Sequence, residues 1–247
     1  MTLSVFHYRD LSLCPVPGGT IVMAADSCAS TGEKPGDTLK CPPYHCGRVS
    51  ARVVLFELLC IGAQVLMVAD GVCSEMQPTG LEIICGFQDE MKLAGLPPEM
   101  LTGSTEENFT TMMTGVGTAA VGYFPGNFKA PVCRSGDLLV SVGEPAVGLD
   151  FLHQNAPVAT YEMIQTLSQD AGVHELIPVG SHGLAWEGRS AAALHHLKAD
   201  FDMPCGLDLS QSGGPASCVL AVMSEEAFKR RRDQMLLTPI GHLKQNP

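Results

Sequence analysis

Long apolar runs are missing from this 247-residue chain. No stretch approaches the ~18 residues that a membrane-spanning helix needs, so no membrane segment is expected. The first ten residues include His7, Arg9 and Asp10 and lack the apolar centre of a signal peptide, and the expectation is a cytoplasmic protein. Basic residues are also scarce: 15 Lys and Arg stand against 26 Asp and Glu, for a net charge of −11. That balance argues against a nucleic-acid binder, which must neutralise phosphates, and against a protein that docks on anionic membranes. Several motifs are absent as well. No Gly-x-x-x-x-Gly-Lys-Ser/Thr, no Gly-x-Gly-x-x-Gly ahead of a helix and no Gly-x-Ser-x-Gly occurs, so P-loop, dinucleotide and hydrolase-elbow sites are excluded. There is no Cys-x-x-Cys among the ten cysteines. Cys41, His45 and Cys46 cluster, but no fourth ligand at metal spacing accompanies them. Most cysteines lie in apolar runs and read as small buried hydrophobes of a reducing compartment.

What is present is a hydrophobic fraction of 45% and a charged fraction of 17%, enough apolar surface for one large domain or two modest ones. Strand and helix patterns mix throughout, which gives an α/β or α+β class. Thr20–Ala25 reads as a buried strand whose end presents Asp26. The segment 27–42 reads as a loop, and a helix runs from Pro43 to Ile61, stopped by Gly62. Val65–Ala69 reads as a second strand. Thr79 and Glu82 suggest a capping box for the next helix, which ends near Gly95. Further on, 110–124 reads as extended, 137–142 and 217–223 as strands, and 161–169 and 190–198 as helices. Ser224 caps a last helix whose basic run, Lys229 to Arg232, reads as a solvated end.

Three groups of residues could carry chemistry. The first is acidic: Asp10 precedes a strand, Asp26 ends one, and Glu57 shares a helix face with Val49, Val53 and Cys60. A carboxylate on an apolar stripe needs a cation, either a metal or an arginine such as Arg48 or Arg52. The second is Thr102-Gly103-Ser104-Thr105-Glu106-Glu107-Asn108. There a glycine permits close backbone approach to phosphate, and carboxylates can hold Mg²⁺; an ordinary polar turn is the plainer alternative. The third is a pair of Gly-rich turns, Gly180-Ser181-His182-Gly183 and Ser212-Gly213-Gly214-Pro215, which allow backbone to approach a ligand. His195-His196 reads as a helix-surface pair, and His153 and His174 carry no signal.

The order of these features resembles the PurM-like (aminoimidazole-ribonucleotide synthetase-related) superfamily. Asp10 and Asp26 resemble its paired acidic motifs. Pro43-Tyr44-His45-Cys46-Gly47-Arg48, with Leu55 to Ala63, is similar to its signature helix, Glu57 standing where an Asp is usual. Thr102-Gly103-Ser104-Thr105 resembles its Gly-Gly-Asp-Thr, with Ser104 in place of the Asp, and Ser135-Gly136-Asp137 resembles the start of its C-terminal domain. Within the superfamily, the stretches Ala25-Asp26-Ser27, Gly36-Asp37, Glu75 to Gly80, Gly103 to Phe109 and Pro178 to Ser181 are similar to the α-ribazole kinases of cobalamin salvage, although His182 stands where a Lys is expected.

The resemblance implies two domains, 1–137 for ATP/Mg²⁺ binding and dimerisation through a shared β-barrel, and 138–247 as the α/β C-terminal domain. It implies an ATP- and Mg²⁺-dependent kinase and a homodimer. A nucleoside-like substrate, α-ribazole, would be converted to its 5′-phosphate. Asp10, Asp26, Glu57 and Glu106 would hold the metal, and Gly103 to Asn108 the nucleotide. Gly180 to Gly183 would contact substrate. Asp26 and Glu57 would serve catalysis, with Asp37 the candidate base. A thiamine-monophosphate kinase, a selenophosphate-synthetase-like enzyme and a catalytically silent nucleotide-binding relative are the alternatives. The selenophosphate reading is weakened because the N-terminus has no reactive cysteine in a Gly-rich segment.

Overall fold

The computed structural model of the protein describes residues 4–246, and the chain forms two compact units, 1–129 and 130–247. The division falls in the 126–137 connector, a few residues ahead of the boundary expected at 137.

The first unit is built on a six-stranded sheet in the order β1-β2-β3-β8-β6-β7. Its strands are β1 (Phe6–Tyr8), β2 (Leu11–Val16), β3 (Gly19–Ala29), β6 (Gln64–Val72), β7 (Leu101–Thr105) and β8 (Gly115–Pro125), and a small parallel pair, β4 (Thr31–Gly32) and β5 (Leu39–Lys40), lies in the 30–40 loop. All pairings in the large sheet are antiparallel except β6 with β7, which are parallel and joined through α2 (Leu81–Leu93). Val22, Ala24, Val68, Val72, Val116 and Ala120 alternate onto one face and are buried with Val54, Leu55 and Leu58 of α1 (Pro43–Cys60). Each such valine or leucine contributes about 1.5–3 kcal/mol of burial.

The helices α1 and α2 close on each other through glycines. A Cβ at Gly47 would meet the Ile83 carbonyl, and one at Gly86 the Tyr44 carbonyl. Beside this contact Arg48 donates to Glu90 from Nε at 2.9 Å and Nη2 at 2.7 Å, while Arg52 sits 3.6 Å from the same carboxylate and 4.0 Å over the Phe56 ring. Arg48 and Arg52, the sequence-based partners for Glu57, thus both reach Glu90. The expected capping box also does not form. Gly80 is the N-cap of α2, and the Thr79 hydroxyl donates to Glu75 at 2.5 Å.

Among the described residues the opposite face of this sheet is largely exposed. Its rows run Ile21–Tyr123–Gln64 and Met23–Val121–Met67 across β3, β8 and β6. Met23 is 44% exposed and Met67 48%.

The second unit holds a five-stranded antiparallel sheet, β10-β12-β9-β13-β11. The strands are β9 (Leu138–Val142), β10 (Val173–Pro178), β11 (Leu197–Phe201), β12 (Val219–Met223) and β13 (Leu237–Gln245), with helices α3 (Leu149–Leu152), α4 (Tyr161–Ser168), α5 (Gly183–Leu194) and α6 (Glu225–Arg231). All five residues of β12 are buried, the pattern of a strand covered on both faces. Ser224 caps α6 by accepting from the Ala227 N–H at 3.2 Å. The basic run does more than meet solvent: Arg230 and Arg231 both reach Asp170, at 2.7 and 2.9 Å. Of the ten cysteines, all unbridged, only Cys46, Cys60, Cys133 and Cys218 are buried, and Cys73 and Cys85 are exposed.

Candidate active site

Strand register assembles the acidic end of the first unit. In β3, Val22, Ala24, Asp26 and Cys28 fall on the helix-facing side, where the strand turns from apolar to polar without losing its period of two. Asp26 lies directly opposite Thr118 of β8, Thr118 opposite Asp70 of β6, and Asp70 opposite Gly103 of β7. Two carboxylates thus flank one threonine on a single sheet face, at the strand-to-strand spacing of ~4.8 Å per step. The Thr118 hydroxyl donates to the Ala69 carbonyl at 3.1 Å.

Asp70 was missed in the sequence, where the strand reading stopped at Ala69; the signal was the same strand-end carboxylate that marks Asp26. It is 6% exposed, and its Oδ1 is buried without a hydrogen-bond partner among the described residues. Burial pushes its carboxyl up to about 6. Burial also raises Asp26, against a lowering from the Ser27 backbone N–H. Beside Asp70, Gly103 has no room for a side chain, since a Cβ there would run into the Asp70 carboxylate. Two residues beyond Asp26 on the same face, Cys28 meets Cys46 of α1, whose thiol donates to it and lowers the Cys28 pKa.

The segment after Gly103 is tied down by its own acids. Ser104 and Thr105 complete β7. Glu106 accepts from the Asn108 and Phe109 N–H groups through Oε1, at 2.6 and 3.2 Å. Glu107 Oε1 accepts from the Met76 N–H at 2.7 Å and the Thr105 hydroxyl at 2.8 Å. Nearby, Glu75 binds Lys34 at 2.6 Å; burial acts to raise its carboxyl, but Lys34 and Thr79 outweigh it and hold it at about 2.

Asp10 lies exposed in the β1–β2 turn, where Arg9 takes a φ of 53°. With Ser12 opposite Met23, that turn is at the Asp26 end of β3. Glu57 is ion-paired with Arg9 at 3.3 Å, both side chains about nine-tenths buried. Asp70 is the carboxylate that shares a row with Asp26. Asp37 is buried and accepts from the Thr114 N–H and hydroxyl at 2.7 and 2.8 Å and from the Lys34 N–H at 2.8 Å. Its two oxygens fix the 30–37 loop onto Thr114.

In the second unit the two Gly-rich turns do meet. Gly213 donates to the Gly180 carbonyl at 3.0 Å, and Gly183, at φ 79°, packs against the backbone of 209–211. Ser181 and His182 are left exposed at the start of α5, with the His182 ring 4.9 Å from that of Trp186.

The donor set of the first unit consists of carboxylate oxygens, which suits a hard divalent ion such as Mg²⁺. The buried Asp70 oxygen without a partner among the described residues is where a cation would fit, because an ionised buried carboxylate is costly until paired.

Known structures fix the class of fold. The chain superposes on Escherichia coli HypE, a hydrogenase maturation protein, with a TM-score of 0.67 at 16% identity, over 91% of this chain and 80% of that one. AaThiL, solved as a complex with AMPPCP and TMP, gives 0.66 at 12% identity, over 96% and 85%. The thiamine-monophosphate kinase of Stenotrophomonas maltophilia gives 0.65 at 17% identity, over 98% and 89%. The fold is therefore the PurM-like mixed α/β fold. No protein-family model matches the sequence, and no curated protein matches it.

Proposed function

We propose that the protein is an ATP-dependent, Mg²⁺-requiring small-molecule kinase that phosphorylates α-ribazole at its 5′-hydroxyl. The observation that carries the kinase reading is the Asp26–Thr118–Asp70–Gly103 row with its unpartnered Asp70 oxygen. Such a row can bind a polyphosphate only through a metal, since carboxylates and phosphates repel. When bound, Mg²⁺ would supply charge neutralisation for the transferred phosphoryl group. Asp26 and Asp70 would hold it, with Glu106, Glu107 and Asp10 at the same end of the sheet. Gly103 leaves room for the Asp70 carboxylate against the strand, and Ser104, Thr105 and Asn108 offer donors. Arg9, held by Glu57 at 3.3 Å, gives Glu57 a positioning role here rather than a ligand role.

The choice of α-ribazole rests on the sequence resemblance; Gly180 to Gly183 are its candidate contacts. A thiamine-monophosphate kinase is the second reading, favoured by the fold shared with two proteins of that kind. A homodimer built on the exposed Met23/Met67 sheet face belongs to the same proposal.

The purified chain, incubated with ATP and Mg²⁺, is assayed by mass spectrometry for phosphorylated product from α-ribazole and, separately, from thiamine monophosphate. Formation of α-ribazole 5′-phosphate, lost in Asp70→Asn and in chelator, is the expected result. Product from thiamine monophosphate alone moves the protein to the second reading. Mg²⁺-dependent ATP binding without turnover of either identifies a silent nucleotide-binding relative, and failure to bind ATP at all overturns the kinase reading.

A further inference from the structure

A second cation site, of different chemistry, lies in the other unit. Cys133 stands in the connector ahead of β9, Glu175 on the edge strand β10 and His195 at the C-cap of α5. Their ligand atoms all fall within 4.8 Å of one another. We propose that these three residues bind a zinc-class divalent ion, a site separate from the nucleotide chemistry of the first unit.

Two of the three ligand separations, which in the ion-free protein are hydrogen bonds to Glu175, match those of a coordination shell. Bonds of ~2.3 Å to sulfur and ~2.0–2.1 Å to nitrogen and oxygen, at tetrahedral angles, set S···O at ~3.5 Å and N···O at ~3.3 Å. The structure has Cys133 Sγ 3.6 Å and His195 Nε2 3.2 Å from the same oxygen, Glu175 Oε2. A mixed sulfur, nitrogen and oxygen set selects zinc-like ions over Mg²⁺ or Ca²⁺, which prefer oxygen alone. Three protein ligands leave a fourth position for water.

The backbone is shaped to make this cluster. Between Val173 and Glu175 the pairing with β12 slips by one residue, so His174 is the extra residue of a bulge. Bulges re-aim side chains. Here His174 turns to Asp137 at 2.7 Å, while Glu175, with 1% of its side chain exposed, faces Cys133 and His195. Asp137 also accepts from the Arg134 N–H at 2.7 Å, which fixes the turn that carries Cys133. The His195 side chain is 11% exposed, so the ring forms the outer wall of the site. A bound ion would cross-link the connector, an edge strand and a helix end, and its binding energy would add to the stability of this unit.

The test is titration of the metal-stripped, full-length protein with Zn²⁺ and with Co²⁺. The expected result is one equivalent bound with a thiolate-to-cobalt charge-transfer absorption and intense tetrahedral d–d bands. Excess Mg²⁺ should not displace the ion. Cys133→Ser should abolish the charge-transfer band. His195→Ala should weaken zinc binding by more than the ~10–100-fold that loss of an outer-shell partner costs. A variant lacking Cys41 and Cys46 should bind as the parent does. Zinc should raise the melting temperature of the parent and not of His195→Ala, whose fold is checked by circular dichroism. No thiolate–cobalt band in the parent overturns the proposal. So does unchanged affinity in His195→Ala, which decides the matter if Cys133→Ser fails to fold.

Discussion

Removing the charge of Asp70 should make the ligand-free protein more stable while destroying its function. The carboxyl titrates at about 6 in the fold, against 3.8 for a free aspartate, because of burial alone. That gap corresponds to about 3 kcal/mol of differential interaction. The sign follows from proton linkage. The folded state holds its proton more tightly than the unfolded state does, so ionisation opposes folding. The cost is complete above pH ~6, shrinks as pH falls below that value, and is gone below the pKa of the unfolded chain. At pH 5 about half of it remains.

Asp70→Asn removes the charge at nearly constant volume. In chelator at pH 8 the variant should therefore melt about 6–12 °C above the parent, taking ~2–4 °C per kcal/mol for a chain of this size. At pH 5 the difference should be about half as large. Adding ATP and Mg²⁺ should close the gap, since saturation at a hundred times Kd gives the parent ~2.7 kcal/mol, nearly the whole of the difference, and the variant little. Thermal unfolding at the two pH values, with and without nucleotide and metal, reads all of this. A variant no more stable than the parent at pH 8, and still stabilised by ATP and Mg²⁺, would refute the reasoning and make Asp70 an ordinary buried acid.

Gly103→Ala places a Cβ against the Asp70 carboxylate; it should abolish ATP binding by calorimetry, and unchanged affinity would remove Gly103 from the site. Met23→Glu with Met67→Lys, on the open sheet face, should convert a dimer to a folded monomer in sedimentation, and a parent that is already monomeric at micromolar concentration would rule out that interface. Asp170→Ala removes the partner of Arg230 and Arg231 and should cost about 1–2 kcal/mol, discounted because Arg230 is half exposed. Burial acts to raise Asp170, but the two arginines and the Gly172 N–H hold it at about 2, so its contribution is present above pH ~4 and is lost as pH falls toward 2; acid titration of parent and variant by circular dichroism checks the window.

What could be seen in the sequence, and what could not, follows from where apolarity and periodicity part company. The helix Pro43–Cys60 was legible almost to the residue, because a proline opens it and Gly62 closes it around a continuous apolar stripe. The strands beside it were found but cut short. Thr20–Ala25 extends to Ala29 and Val65–Ala69 to Val72; in each the alternation continues after the apolar run stops. The first charged residues on the buried face are Asp26 in one strand and Asp70 in the other, so reading a strand as ending where its apolar run ends discards the carboxylate proposed to bind metal. Asp26 survived because it was noticed as a terminus, and Asp70 did not.

Glu175 was hidden by the opposite failure. The bulge at His174 breaks the period of two, and nothing in the local pattern says that a glutamate there faces inward. Arg9 was equally invisible as the partner of Glu57, since a hairpin turn and a helix 48 positions apart share no local signal. Helix and strand periodicity report which face is buried. They do not report which polar residues a buried face has been built to tolerate. In this protein those tolerated polar residues, Asp70 in the first unit and Glu175 in the second, are where cations are expected to bind.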